Sequence, residues 1–224
     1  MTEGQFKPLS GYPHLSDDDA LARVQAFRDS MATRRTVRDF SDRPVPRAVI
    51  EAAIETAASA PSGANKQPWH FAAVESAALK ARLRPAVEQA EQTFYTEKAS
   101  AQWLADLAPL GTDASKPFVT RAPWLIAVFR KAYDIRPDGT RDQHYYVSES
   151  VGIACGFLLA ALHQAGLATL THTPAPMGFL RRMFDRPAQE KPVMLVVTGH
   201  PAADARVPDI TRKPLGVVAD FHTD

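Results

Sequence analysis

Two short stretches gather the side chains best suited to hold a charged or polar ligand. Arg34-Arg35-Thr36-Val37-Arg38 places three arginines and a hydroxyl within five residues. If this segment is extended, Arg34, Thr36 and Arg38 face one way and Arg35 and Val37 the other. Guanidinium forks match phosphate oxygens in pairs, and the Thr36 hydroxyl adds a further bond. The same residues also suit a solvated basic turn at the end of a helix, where the dipole favours cations. The second stretch is Ala60-Pro61-Ser62-Gly63-Ala64-Asn65-Lys66-Gln67-Pro68-Trp69. Gly63 lets backbone approach a partner closely, while Ser62, Asn65 and Gln67 offer short polar groups. Such a loop is either a ligand-holding site on a rigid scaffold or a plain connection, and its residues alone leave both open.

Other chemistries lack their residues. No G-x-G-x-x-G or P-loop pattern occurs, and no G-x-S-x-G elbow. The 7 histidines show no ligand spacing with one another or with Cys155, so no metal is expected. Cys155 is the only cysteine. It lies in the apolar run Val151 to Leu162, which reads as an inert core thiol in a reducing compartment.

The elements that must position these stretches follow from periodicity. Ser16 with Asp17, Asp18 and Asp19 forms a helix start, acids against the positive end of the dipole. Leu21, Val24, Phe27 and Met31 then mark a buried face up to about Thr33. Val49, Ile50, Ala53, Ile54 and Ala57 give helical spacing from Arg47 to Ala58, closed by Pro61. His70 to Val74 reads as a buried strand and Ala77 to about Lys98 as a helix. The region Ala99 to Lys116 is more polar and suits a surface excursion or a mobile cover. Trp124 to Phe129 is apolar on both faces, hence central to a sheet. A turn at Arg136-Pro137-Asp138-Gly139 leads to a helix from about His144 to Gln164, capped by Gly166. Ser148, Gly152, Gly156 and Ala160 form a stripe of small side chains along it, fit for close helix packing such as that across a dimer. Leu167 to Pro174 reads as a strand with a polar tip. Gly178 to Phe184 is a short helix, and Val193 to Val197 another buried strand.

Lys plus Arg is 26 against 25 for Asp plus Glu, which gives no basic excess for nucleic acid. The first thirty residues hold no apolar leader, and the longest apolar run falls short of the roughly 20 residues needed to span a bilayer. The expectation is a loose arm over 1–15, then a single domain over 16–224, in a cytoplasmic protein without membrane contact.

Taken together, Arg34 to Arg38 and the Ala60 to Trp69 loop resemble the signature of the flavin-dependent nitroreductase superfamily. The small-residue helix, the threonine-ended strand, Gly199 and Arg212-Lys213-Pro214 continue the match. Glu91-x-x-x-Tyr95, then Trp103, Asp106-Leu107 and Lys116, are similar to the active-site lid of iodotyrosine deiodinases. So are His144-Tyr145-Tyr146, Ile153-Ala154-Cys155-Gly156, Arg186-Pro187-Ala188 and Val207-Pro208-Asp209. Two positions depart from the pattern: Thr36 stands for the usual serine, and His172 breaks a run of threonines. The membrane anchor of animal members is missing, in keeping with a soluble prokaryote-type homologue.

The resemblance implies an α+β fold, a central mixed or antiparallel sheet flanked by helices, in an intertwined homodimer with FMN at the subunit interface. Arg34, Arg35, Thr36, Val37, Arg38 and Arg212 would hold the phosphate and ribityl end. Ser62 and Gly63 would line the isoalloxazine, with the Ala64 backbone beside the substrate phenolate. Thr171, His172 and Thr173 would pass along the ring edge, Thr173 donating to N5 as the catalytic hydroxyl. Glu91, Tyr95 and Lys116, in a lid over about 91–116, would clasp the ammonium and carboxylate of a halotyrosine. The implied activity is reductive dehalogenation of a halotyrosine or halophenol, with NAD(P)H or a reductase supplying electrons. A general nitro- or quinone reductase on the same fold is the alternative, and a non-catalytic flavin-binding sensor a further one.

Overall fold

The strand that is apolar on both faces lies, as its sequence requires, inside the sheet. In the computed structural model, which describes residues 6–223, the elements run α1 (Asp17–Thr33), α2 (Arg47–Ala58), β1 (Trp69–Val74), α3 (Ala77–Thr93), α4 (Ala101–Leu107), α5 (Phe118–Arg121) and β2 (Trp124–Lys131). There follow β3 (Tyr133–Ile135), β4 (Arg141–Gln143), α6 (Val147–Gln164), β5 (Ala168–His172), α7 (Gly178–Met183), β6 (Glu190–Gly199) and α8 (Leu215–Val218). A π-helical turn, Phe94–Lys98, follows α3.

Strands β1-β2-β6-β5 form an antiparallel sheet, and β3 pairs with β4 in a separate hairpin. Thr36 adds a parallel bridge to Thr169 at the β5 edge, so the margin of the sheet is mixed. Pro192 lies opposite Phe129, next to the register slip after Val128, a place where a missing N–H costs little. Alternation along β2 feeds two cores. Trp124, Ile126 and Val128 pack with Ile50 and Ala57 of α2 and Val151 and Leu158 of α6. Leu125, Ala127 and Phe129 pack with Leu83 and Val87 of α3, Phe118 of α5 and Leu180 of α7. Helices therefore cover both faces, as an α+β layering requires.

The chain divides into two compact units, Met1–Arg34 and Arg35–Asp224. Of the arm expected over 1–15, residues 1–5 lie outside the described residues, and 6–15 contain no helix or strand. In the smaller unit, Ser16 caps α1 by accepting from the Asp19 N–H, with Asp17, Asp18 and Asp19 in the first turn. Its apolar face is not buried: Leu21, Val24 and Phe27 are 54%, 60% and 50% exposed. Amphipathic spacing fixes which residues share a face but does not supply the surface that covers it.

Helix α6 starts at Val147 rather than His144, with Tyr146 at its cap in the left-handed region, φ 48°. The His144 ring is instead buried against the Lys131 carbonyl and the Asp134 carboxylate, 3.0 Å from each. Among the described residues α6 alone is long and apolar enough to cross a bilayer by length and composition. Its inner residues Val151, Ala154, Cys155, Leu158 and Leu162 are built into the core. Burial raises the Cys155 thiol to about 11, which keeps it unreactive.

Gly199 shows how tightly the sheet end is closed. A β-carbon there would lie 2.4 Å from Cδ of Pro123, a ring that cannot rotate away. Gly199→Ala is expected to destabilise the protein by about 1–3 kcal/mol through overpacking, read as a lowered midpoint in thermal denaturation.

Candidate active site

The π-helical turn, α4 and the end of β5 enclose a cavity of about 230 Å³ lined by Arg38, Glu91, Tyr95, Trp103, Lys116 and Thr171 to Thr173, among others. The expected lid residues thus form one wall. Glu91 and Lys116, types usually found in solvent, are only 8% and 2% exposed. Their charges meet: Lys116 Nζ lies 3.0 Å from Glu91 Oε2. A buried charge needs such pairing, because desolvation otherwise makes it costly.

Each partner is held by its neighbours. Lys116 Nζ also donates to the Thr112 hydroxyl at 3.0 Å and to the Asp113 carbonyl. The Lys116 N–H donates to Glu88 at 2.8 Å. Burial alone would raise the Glu88 carboxyl, but the bonds from Lys116 and Arg84 hold it below its usual range. The Tyr95 hydroxyl donates to the Thr112 carbonyl at 3.2 Å. Burial, with the Glu91 and Asp113 charges, pushes that phenol up, against a smaller opposing effect of the Thr112 bond. Phe94 packs edge-on against Trp103, ring centres 4.8 Å apart. Thr112, which orders both Tyr95 and Lys116, has no sequence signal beyond its place after Gly111.

At the other wall the β5 alternation decides which side chains do what. Thr171 and Thr173 are exposed and His172 is buried between them. His172 shares the face of Leu170 and packs edge-on against Phe118, ring centres 5.4 Å apart. Burial, with the charges of Lys116 and Arg38 assisting, lowers the His172 imidazole to about 3. The ring is therefore neutral at physiological pH.

The structure does not bring every expected residue to this cavity. Thr36 and Val37 are engaged at the sheet edge, the Val37 N–H donating to the Thr169 carbonyl at 3.1 Å. Arg35 donates to the Pro208 carbonyl. Arg34 ends the smaller unit, and Arg212 is exposed in an irregular segment before α8. Ser62, Gly63 and Ala64 do not line the cavity; they lie against the start of α6. A β-carbon on Gly63 would meet the Tyr145 carbonyl oxygen at 2.7 Å, and the Gly63 N–H donates to the Ser150 hydroxyl at 3.4 Å. This loop is strained, with Ala64, Asn65 and Gln67 at φ 50°, 53° and 46°, and such geometry persists only where the surroundings enforce it. The Ser62 hydroxyl accepts from the Gln67 N–H at 2.9 Å. Lys66 is bound 2.6 Å from Asp142, itself 3.1 Å from Arg136. The β3–β4 hairpin that provides Asp142 is the anchor that sequence reasoning reads only as a turn.

Residues 31–200 match the nitroreductase family model, and the chain belongs to that family. Within it, the chain is similar to iodotyrosine deiodinases. The chain is 52% identical over 213 residues to the iodotyrosine deiodinase of Haliscomenobacter hydrossis, covering 95% of this chain and 96% of that one. It is 41% identical over 203 residues to human iodotyrosine deiodinase 1, covering 90% of this chain and 70% of that one. Among solved structures it superimposes on oxidised iodotyrosine deiodinase bound to FMN and 3-iodo-L-tyrosine with a TM-score of 0.74 and 29% identity, over 88% of this chain and 100% of that one.

Proposed function

We propose that the chain is an FMN-dependent reductive dehalogenase of iodotyrosine and related halotyrosines. It works as a homodimer in the cytoplasm, with electrons from NAD(P)H or a separate reductase. The observation that carries this reading is the buried pair of opposite charges, Glu91 and Lys116, beside the Tyr95 phenol in one cavity. An amino acid brings an ammonium and a carboxylate, and these are the complements of that pair.

The residues present suit FMN. Arg35 and Arg38 flank the Thr36 bridge at the sheet edge, and Thr171 and Thr173 present hydroxyls on the exposed face beside it. Guanidinium and hydroxyl donors are the set that a phosphate and a polar flavin edge require. Arg212 would complete the phosphate set. Thr171 and Thr173 would hold the ring edge with their hydroxyls, and His172 with its main chain. Reduced FMN, when bound, supplies the electrons that replace iodide by hydrogen with uptake of a proton. Lys116 and Tyr95 take the substrate carboxylate and Glu91 its ammonium. The aromatic wall of Phe94 and Trp103 excludes water.

Ser62, Gly63 and Ala64 lie apart from the cavity of their own chain, and a second copy supplies them, with the Ala64 N–H beside the substrate phenolate. The exposed outer face of α6, with Ile153 and Phe157 at 42% and 40% exposure, is the surface through which the copies meet.

The test is discrimination by the FMN-loaded protein. Titration of its flavin absorbance is expected to show 3-iodotyrosine binding far more tightly than 2-iodophenol, which lacks the zwitterion. Equal affinities contradict the reading and favour a general nitroreductase. Within the same reading, Thr173→Ala is expected to depress deiodination by roughly tenfold, the worth of one hydrogen bond. Turnover of a nitroaromatic should be spared, and equal loss on both substrates would remove Thr173 from its catalytic role.

A further inference from the structure

His172 carries an unexplained polar atom. Its Nε2 is buried with no hydrogen-bond partner, on a side chain only 9% exposed. Oε1 of Glu91 lies 3.8 Å away, just beyond hydrogen-bonding distance. That oxygen is the one Lys116 does not take, since the ammonium sits on Oε2 at 3.0 Å. The site is therefore arranged with one carboxylate between two nitrogens, one bonded and one waiting.

The halotyrosine reading, on which this inference rests, gives the gap a use. A substrate carboxylate competes for Lys116, whose ammonium has the Thr112 hydroxyl and the Asp113 carbonyl to steady it as it turns. Glu91 then loses its counter-charge inside the protein, an arrangement that is strongly unfavourable unless another group replaces it. The substrate ammonium replaces the charge but not the direction, because a carboxylate with one partner swings freely. We propose that His172 is the positioning residue for Glu91: as Lys116 turns to the substrate, the Nε2–H of His172 closes onto Oε1 and keeps the carboxylate aimed at the ammonium. A neutral imidazole serves this end better than a cation. It offers one N–H donor without cancelling the negative charge that the ammonium seeks or repelling the ammonium itself. The burial that holds the ring neutral and the edge of Phe118 that fixes its plane both serve that purpose. A threonine, which the family pattern would place here, is too short to span from the strand to Oε1. His172 thereby tightens selection for zwitterionic over plain phenolic substrates.

The experiment uses FMN-loaded protein, with dissociation constants for 3-iodotyrosine and 2-iodophenol read from flavin fluorescence. His172→Leu removes the donor and His172→Gln keeps an N–H at similar reach. Leu is expected to weaken 3-iodotyrosine about tenfold or more, the worth of a bond to a charged group, with a much smaller change for 2-iodophenol. Gln should restore most of the discrimination. An unchanged ratio in Leu, or Gln behaving as Leu, overturns the proposal. Nitrogen-15 NMR of the histidine rings in the unsubstituted holoprotein decides the matter independently of how well the variants fold. The His172 proton is expected on Nε2 and to move downfield when 3-iodotyrosine is added. A proton on Nδ1, or no shift, overturns the proposal. If the parent protein itself does not discriminate, the substrate reading fails and this inference with it. If the parent and Leu discriminate equally, while Glu91→Gln does not, the inference alone fails.

Discussion

Lys116→Met is expected to destabilise the substrate-free protein by about 3–5 kcal/mol, because it strands the Glu91 carboxylate in a buried site. Adding Glu91→Gln should recover most of that loss, since the neutral amide no longer needs a cation. Recovery will be partial, because the Thr112 hydroxyl and the Asp113 carbonyl also lose the ammonium they accept from. At roughly 2–4 °C per kcal/mol for a chain of this size, the single variant should melt on the order of ten degrees low and the double variant much closer to the parent. Binding should behave in the opposite way. Truncating one member of a buried charge pair costs an interface about 2–5 kcal/mol, so 3-iodotyrosine should weaken roughly a hundredfold in the single variant. The double variant should be no better, since neither end of the zwitterion now finds its complement. Restored stability without restored binding separates the structural part of the pair from its recognition part. Purely additive melting losses would show that the two side chains are not coupled.

The second large effect concerns assembly. Gly152 and Gly156 lie on the open side of α6, and a β-carbon at either would meet nothing within 4 Å in the single chain. Gly156→Leu should therefore leave the fold of one chain intact, and even favour the helix by removing a glycine. Across a close helix contact the same side chain has no room. The expected result is a folded monomer by light scattering that elutes without FMN, because in the proposed assembly Ser62, Gly63 and Ala64 come to the cavity from a second copy. A flavin-loaded monomer, or a dimer of unchanged stability, contradicts the assembly proposed here.

Much of this was legible in the chain, for identifiable reasons. The Arg47–Ala58 helix, the Trp124 strand and the Ser16 cap depend on local periodicity and local hydrogen bonds, and each lies where the sequence places it. The long helix begins later than expected because His144 finds a carbonyl and a carboxylate in the β3–β4 hairpin, partners that no spacing reveals. The exposed face of α1 and the open stripe of α6 show the limit of pattern reading: it identifies an apolar face but not what covers it. At the site, Glu91, Tyr95 and Lys116 stood out through family resemblance, since their types alone are ordinary. Their pairing with each other, the support from Thr112 and the turn of His172 toward Glu91 come from tertiary placement. The alternation of β5 did contain the last of these, because Leu170 and His172 must share a face that Thr171 and Thr173 do not.

The central claim is that this site spends reduced FMN on a carbon–iodine bond of a zwitterionic phenol. It is tested most directly by reducing the FMN-loaded protein with dithionite, removing excess reductant, and mixing it anaerobically with 3-iodotyrosine. The expected result is return of the yellow oxidised flavin with release of one iodide and one tyrosine for each flavin reoxidised, and no such return with tyrosine. A flavin that stays reduced with 3-iodotyrosine, yet reoxidises promptly with a nitroaromatic, would contradict the account.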